Sequence, residues 1–377
     1  MAAAAFLAWE LLLLEQRVRQ IERRLERRLL RDHANPLTLP QNEFMDIFRL
    51  SPDLALYLIN ELHHDLQPQR ISGLAPELQV LTVLQFYGQG CYQRSVGNQF
   101  QHNMSQTSVS RCIRAVTNAI NQRLLRRWIK FPMSQEERAA ARNKFRNAPQ
   151  PFPGAIGAID CTFINILGPV EHEEAYVNHH GNHSLNVQVI VNPDLLILNI
   201  NARFPGARND SYIWNNSPIR RAMEYCYNRG ERQTWLIGDA GYPLEPWLMT
   251  PLADYPIGTR QFEYTMQLCS SRNCVERFNG VFKSVWRCCS YQRILMYKPE
   301  LAGRIINACA ILHNMRIHAR LPVDQFLNDQ DAGLPEDPVH IYHEGDNEPV
   351  RNLALARRIQ KQIMADRFPD LPDGDDL

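Results

Sequence analysis

A single carboxylate stands in the middle of one of the most apolar runs of this chain, and any fold has to account for it. Residues 154–166 read GAIGAIDCTFINI, with Asp160 between Ile159 and Cys161. So short a run of Ile, Phe and Ala reads as a buried strand. A carboxylate there is costly unless it is paired or binds a metal. A second acid repeats the pattern. In TWLIGDAGYP, residues 234–243, Asp239 follows a buried-strand run and immediately precedes Ala240 and Gly241, where the backbone leaves the sheet. Ligands of open α/β sheets gather at that carboxyl edge. Taken singly, either Asp also suits a helix cap or a turn.

The surrounding pattern defines the architecture. Residues 155–167, 184–192 and 195–204 are rich in Ile, Val and Phe and short enough for strands, and Asn192-Pro193-Asp194 turns the second into the third. Three strands in a row predict a meander. Helical spacing follows over 210–227, a buried strand over 234–237, and helices over about 270–289 and 299–320. The order βββαβαα is mixed α/β. Upstream, residues 41–150 read as helices broken at Pro68, Gly73, Gly88 and Gly90, and His102-Asn103. The first block, 1–40, contains a long amphipathic helix with Leu14, Val18, Ile21, Leu25 and Leu29 at spacings of 4, 3, 4 and 4. Its apolar stripe suits either the body of the protein or another chain. The block 326–377 is expected as an acidic flexible tail with one short helix over 353–364. No apolar run reaches the roughly 20 residues that span a bilayer, and no secretory pattern opens the chain. Nine scattered cysteines without a CxxC pair suggest neither a disulfide framework nor a thiolate zinc site, and fit a reducing compartment.

The net charge of +1 conceals an asymmetry. Residues 325–377 carry 5 Lys/Arg against 12 Asp/Glu, a balance of −7, which leaves +8 for the rest. Ten basic residues against two acids lie within 111–146. A basic belt beside an acidic end points to a polyanionic partner, or to ordinary solvated helix faces. In the same region Ser105 is placed to cap a helix, with Met104 and Val109 as a hydrophobic staple. Val109, Ile113, Val116 and Ile120 form its buried stripe, leaving Gln106, Thr107, Ser110, Arg111 and Arg114 outward. Such side chains reach phosphates and base edges from the recognition helix of a helix-turn-helix. The same packing also serves helical bundles that touch no DNA.

A third acid lies in NCVERFNGVFKSVWR, residues 273–287. Val275, Phe278, Val281 or Phe282, and Val285 would pack on the sheet, while Arg272, Glu276, Asn279, Lys283 and Arg287 recur at spacings of 4, 3, 4 and 4. Alone this is a solvated face with an i,i+4 pair of small worth. Combined with Asp160 and Asp239, Glu276 completes three carboxylates able to hold two Mg²⁺ or Mn²⁺ ions about 4 Å apart for phosphodiester displacement. The flanking cations Lys283 and Arg287 would hold the polyanionic strand. A rival zinc reading of His172, His179, His180 and His183 fails the HExxH pattern, since Tyr176 stands where the second His is required.

These residues carry a resemblance. PELQVLTVLQFYGQGCYQ, VSRCI, GAIGAIDCTFI, NHHGNHSLNVQVI, FPGARNDSYIW, WLIGDAGYPLEPWLMTP, NCVERFNGVFKSVWRC and ACAILHN, in that order, resemble the PIF/Harbinger superfamily of transposases and the Harbinger-transposase-derived nuclease-like proteins. The resemblance spans about residues 41–322. It implies an RNase H-like DDE catalytic domain, residues 151–325, preceded by the helix-turn-helix region. Asp160, Asp239 and Glu276 match the three acids of the DDE triad, the last two 37 positions apart. Asp210, in FPGARNDSYIW, falls on a family motif at a helix start and is expected as an N-cap or a supporting acid; His183 is expected to hydrogen-bond nearby. His180 stands where the family usually has a basic residue before Gly181.

The reading that follows is a metal-dependent DNA transposase or endonuclease. It would cleave at element ends with water and pass the freed 3′-hydroxyl to target DNA. Its rivals are a domesticated, non-catalytic nuclear DNA-binding protein and a nuclease without strand transfer. The resemblance also implies a Myb-like partner that contributes DNA binding and nuclear entry. No import run of Lys and Arg alone is present, and the protein would stay cytoplasmic until imported. Joining two ends in one event predicts at least a dimer.

Overall fold

The computed structural model describes residues 2–33, 35–68, 70, 73–99, 102–323 and 350–376. The chain forms two compact units, Met1–Ala119 and Ile120–Leu377.

The first unit is helical: α1 (Ala2–His33), α2 (Gln41–Phe48), α3 (Pro52–Leu62), α4 (Pro76–Gln89), α5 (Gln93–Asn98) and the first half of α6 (Gln106–Trp128). Local chemistry sets the boundaries. Ser51 accepts a hydrogen bond from the Leu54 N–H with Pro52 at the first helical position, and Gly90 ends α4 at φ 60°. Ser105 Oγ accepts from the Ser108 N–H at 3.2 Å, the cap anticipated for α6. Met104, Val109, Ile113, Val116 and Ile120 are all buried. Inside the unit His102 is fully buried, its ring bonded to Thr82 Oγ1 at 3.2 Å and to Gln85 Oε1. Along α1 the stripe Leu14, Val18, Ile21, Leu25 and Leu29 stands exposed.

The second unit is mixed α/β, as anticipated. Five strands, β1 (Ala155–Asn165), β2 (Ser184–Val191), β3 (Ile197–Pro205), β4 (Trp235–Ile237) and β5 (Leu248–Met249), form one sheet in the order β3-β2-β1-β4-β5. The first three make the expected antiparallel meander, while β4 runs parallel to β1 and β5 parallel to β4. This mixed sheet is consistent with an RNase H-like domain. β1 lies between β2 and β4 and is packed by α7 and α10, so its side chains are buried almost throughout rather than alternately. α7 (Gln135–Arg146) starts with a capping box of Ser134 and Glu137. It packs on β1 and belongs to this unit, although the helical pattern of residues 41–150 places it with the helical region. Arg138 and Arg142 of its basic belt bind Glu231, at 2.6 and 3.0 Å, so part of the positive run serves the fold.

α8 (Asp210–Asn215) and α9 (Pro218–Asn228) bring Trp214, Ile219, Met223 and Tyr227 into a core with Ile156, Ile159, Ile190, Leu198, Leu236 and Leu248. α10 (Arg260–Val285) packs on β1 and β2, and α11 (Pro299–His318) on β3. The ACAILHN motif fastens α11 to the outer strand. Asn314 accepts from the Ile197 N–H at 2.9 Å and donates to the Ile197 carbonyl at 2.8 Å, and His313 reaches the Leu195 carbonyl at 2.8 Å. Gly303 permits the approach, since a Cβ there would sit 2.3 Å from the Ala202 carbonyl oxygen.

The acidic C-terminal stretch departs from the flexible tail expected of it. Residues 324–349 lie outside the described residues, but α12 (Val350–Arg367) packs on α10. Its Gln360 is buried and donates to the Thr250 carbonyl at 3.0 Å, while Ala356, Ile363 and Met364 are buried beside it. The chain beyond it folds back on the start of α10, where Arg260 donates to the carbonyls of Phe368 and Pro369 and Gly374 N–H donates to Gln261. Composition reports net charge, but four inward side chains per few turns suffice to dock a helix.

Candidate active site

The parallel register of β1 and β4 builds the site. Ala158 is paired with Ile237; Asp160 stands two residues further along β1, and Asp239 two residues beyond the end of β4. Two acids distant in sequence are thus brought together where β4 ends beside β1. Asp210 arrives from α8. It does not cap that helix: Asn209 does, accepting from the Tyr212 N–H at 2.9 Å. Freed of that task, the Asp210 side chain turns inward, where Asn186 of β2 donates to it at 3.2 Å and to the Arg208 carbonyl at 2.8 Å. Carboxylate oxygens of Asp160, Asp210 and Asp239 all lie within 4.8 Å of one another.

α10 supplies the countercharge. Arg272 donates to Asp160 Oδ1 at 2.8 Å, lies 3.7 Å from Asp239 Oδ2, and donates to Glu276 Oε1 at 2.5 Å. Asn279, seven positions on along the same face, donates to Asp160 Oδ2 at 3.1 Å. Asp239 accepts from the Gly241 N–H at 2.9 Å, the sharp turn for which the sequence after β4 is built. Glu276 is more than half exposed, stands outside the close trio and is joined to it through Arg272.

The electrostatics follow from this crowding. Burial pushes the Asp160 carboxyl up to about 6 against the pull of Arg272, and the neighbouring Asp239 and Glu276 add to the rise. Asp210 is pushed up to about 7, first by burial and then by Asp160 and Asp239. Burial works against the charge of Arg272, but Asp160, Asp239 and Glu276 outweigh it and raise its pKa. Beneath the acids Cys161 Sγ lies 3.3 Å from the Tyr242 hydroxyl, and burial drives both of these groups up.

One guanidinium therefore serves several carboxylates. The buried Asn279 Oδ1 has no hydrogen-bond partner. Hard oxygen donors converging in this way suit Mg²⁺ or Mn²⁺. Elsewhere, His183 pairs with Glu173 at 2.9 Å rather than with the acids. His179 and His180 pack on Phe163, and among the described residues no histidine joins a group able to hold a metal. Lys283 is buried and Arg287 half-buried, so neither stands on a fully open face. In the helical unit Gln106, Thr107, Arg111 and Arg114 are exposed and Ser110 half-buried. Sequence reasoning singled out the stripe Arg272, Glu276, Asn279 but not that two of its members serve Asp160; that spacing was the available signal. Tyr242 gave none, being one apolar-looking residue in a loop.

A model of the DDE superfamily endonuclease family matches residues 159–314, a span containing Asp160, Asp210, Asp239 and Glu276. A Xenopus laevis protein named Putative nuclease HARBI1 is 30% identical over 315 residues, covering 83% of this chain and 86% of that protein. Its human namesake is 29% identical over 328 residues, covering 86% and 90%. An Arabidopsis thaliana protein named Antagonist of Like Heterochromatin Protein 1 is 25% identical over 305 residues, covering 74% and 75%. No solved structure matches. The chain belongs to the DDE superfamily endonucleases and, within them, to the Harbinger-transposase-derived nucleases.

Proposed function

We propose that this protein is a divalent-metal-dependent DNA nuclease that cuts at transposon ends and transfers the 3′-hydroxyl to target DNA. The observation that carries this reading is the convergence of Asp160, Asp210 and Asp239 within 4.8 Å where β4 ends beside the middle of β1, with Glu276 at the margin. Asp160, Asp239 and Glu276 are the catalytic acids in this reading, and Asp210 adds a fourth carboxylate to the cluster. A divalent cation held by these acids supplies Lewis acidity, activating water and stabilising the leaving oxygen. Asn279 and Arg272 fix the two oxygens of Asp160, and Asn186 fixes Asp210.

The outward face of α6, with Gln106, Thr107, Ser110, Arg111 and Arg114, is proposed to meet DNA, and Lys283 and Arg287 to add positive potential behind the acids. A Myb-like partner, nuclear location and at least a dimer complete the reading. The domesticated alternative keeps the fold and the DNA contact without cleavage; the Arabidopsis relative's name, an antagonist of a heterochromatin protein, favours a chromatin role for some members. The test is Mg²⁺- or Mn²⁺-dependent nicking and strand transfer on DNA carrying element ends, with and without the Myb-like partner. Activity lost in Glu276→Gln supports the reading. Silence in every condition from folded, DNA-binding protein supports the domesticated one.

A further inference from the structure

Away from the carboxylates, three cysteines converge inside the sheet unit. Cys288 and Cys289 lie in the short turn Arg287–Cys289 that follows α10, and Cys309 lies on α11. All three are buried. Cys288 Sγ is 3.7 Å from the Sγ of Cys289 and 3.7 Å from that of Cys309, and the three sulfurs lie within 4.8 Å of one another. A disulfide requires about 2.05 Å, so these are free thiols.

A buried free cysteine is ordinarily a small apolar side chain. Three whose sulfurs share one point are a different object. Sulfurs bound at about 2.3 Å around one ion in a trigonal plane stand about 4 Å apart, close to the spacing present here. Among the described residues no histidine or carboxylate joins the three sulfurs. Structural zinc takes four ligands, whereas an all-sulfur set short of a fourth donor suits a softer ion.

We propose that Cys288, Cys289 and Cys309 form a buried trigonal thiolate site for one soft metal ion of the copper(I) class. Each ligating thiol passes its proton to solvent as its S–H bond is replaced by a metal–sulfur bond, and the ion's oxidation state does not change. The site ties the end of α10, which carries Arg272, Glu276 and Asn279, to α11, which fastens β3. It is independent of the nuclease reading, since none of its three sulfurs touches the acids.

The test uses the full chain, reduced and stripped of metal, titrated with Cu(I) against a coloured competing chelator. The expected result is one equivalent of copper withdrawn per chain, with a rise in Tm. Cys288→Ala and Cys309→Ala each lose that equivalent, while Cys269→Ala, at an exposed position, keeps it. Should the alanine variants fail to fold, copper K-edge absorption on the unaltered protein decides: three sulfur neighbours and no nitrogen or oxygen are expected. Retention of the equivalent by folded Cys309→Ala, light-atom neighbours, no copper uptake, or a stoichiometric preference for Zn(II) would each overturn the proposal.

Discussion

Each unit of the molecule buries a titratable group, and the two are treated in opposite ways. In the helical unit His102 is enclosed with a partner at each ring nitrogen, Thr82 and Gln85, and burial lowers its pKa from 6.5 to about 4. It is neutral and satisfied, a peg between α4 and the turn before α6. In the sheet unit Asp160 and Asp210 are enclosed as well; burial first and neighbouring carboxylates second raise their pKa values, with Arg272 as the countercharge of Asp160. A fold that needed only stability would not gather acids this way; buried polar groups under strain from like charge mark sites of chemistry. The contrast separates a structural buried group from a functional one by its partners rather than by its burial.

Mutation should break this contrast most sharply. Asp160→Asn, Asp239→Ala or Glu276→Gln should each lower metal-dependent cleavage by ~10³-fold or more, while DNA binding measured on the same variants stays close to normal. A near-normal cleavage rate in Asp239→Ala would remove Asp239 from the triad. His102→Ala should do the reverse, leaving the acids intact while costing the helical unit ~2–4 kcal/mol in urea unfolding, because Thr82 and Gln85 lose their buried partner.

Acidity sharpens the comparison further. His102 has a folded pKa below its unfolded one, so its contribution is present above about 6.5 and is lost as the pH falls toward about 4. Asp210 has a folded pKa above its ordinary 3.8, so its contribution is present below that value and is lost as the pH rises through about 7. In EDTA the sheet unit should therefore weaken by roughly 2–4 kcal/mol between pH 4 and 7, and Asp210→Asn should flatten that slope in pH-dependent unfolding. A slope unchanged by the substitution would place the proton elsewhere. The smallest effect is reserved for the outward face of α6. Arg111→Ala with Arg114→Ala should reduce the salt slope of DNA binding by about 2, read by anisotropy at several salt concentrations, without altering cleavage chemistry.

Much of this architecture was legible from local pattern. The strand runs around Asp160 and Asp239, the meander turning at Asn192-Pro193-Asp194, and the Ser105 cap are governed by neighbours a few residues apart, where periodicity and capping chemistry act. The polar stripe Arg272, Glu276, Asn279 was visible for the same reason. What each member touches was not, because a helix face carries no label for its partner. The C-terminal stretch shows the limit of composition: its acidity was plain, while the docking of Gln360 and Met364 on α10 rests on a surface assembled from segments about a hundred residues away.

By itself, then, the chain's sequence determined the antiparallel meander, the strand runs that carry Asp160 and lead to Asp239, and the family to which the chain belongs, since those properties reside in residue chemistry and spacing. Tertiary structure alone decided which acids meet. The β1–β4 register set Asp160 beside Asp239, the Asn209 cap released Asp210 to join them, and Arg272 drew Glu276 to their margin. Packing of α11 brought Cys309 to Cys288, 21 residues earlier in the chain. Proximity between distant residues arises from how apolar surfaces are buried together, and no local pattern encodes it.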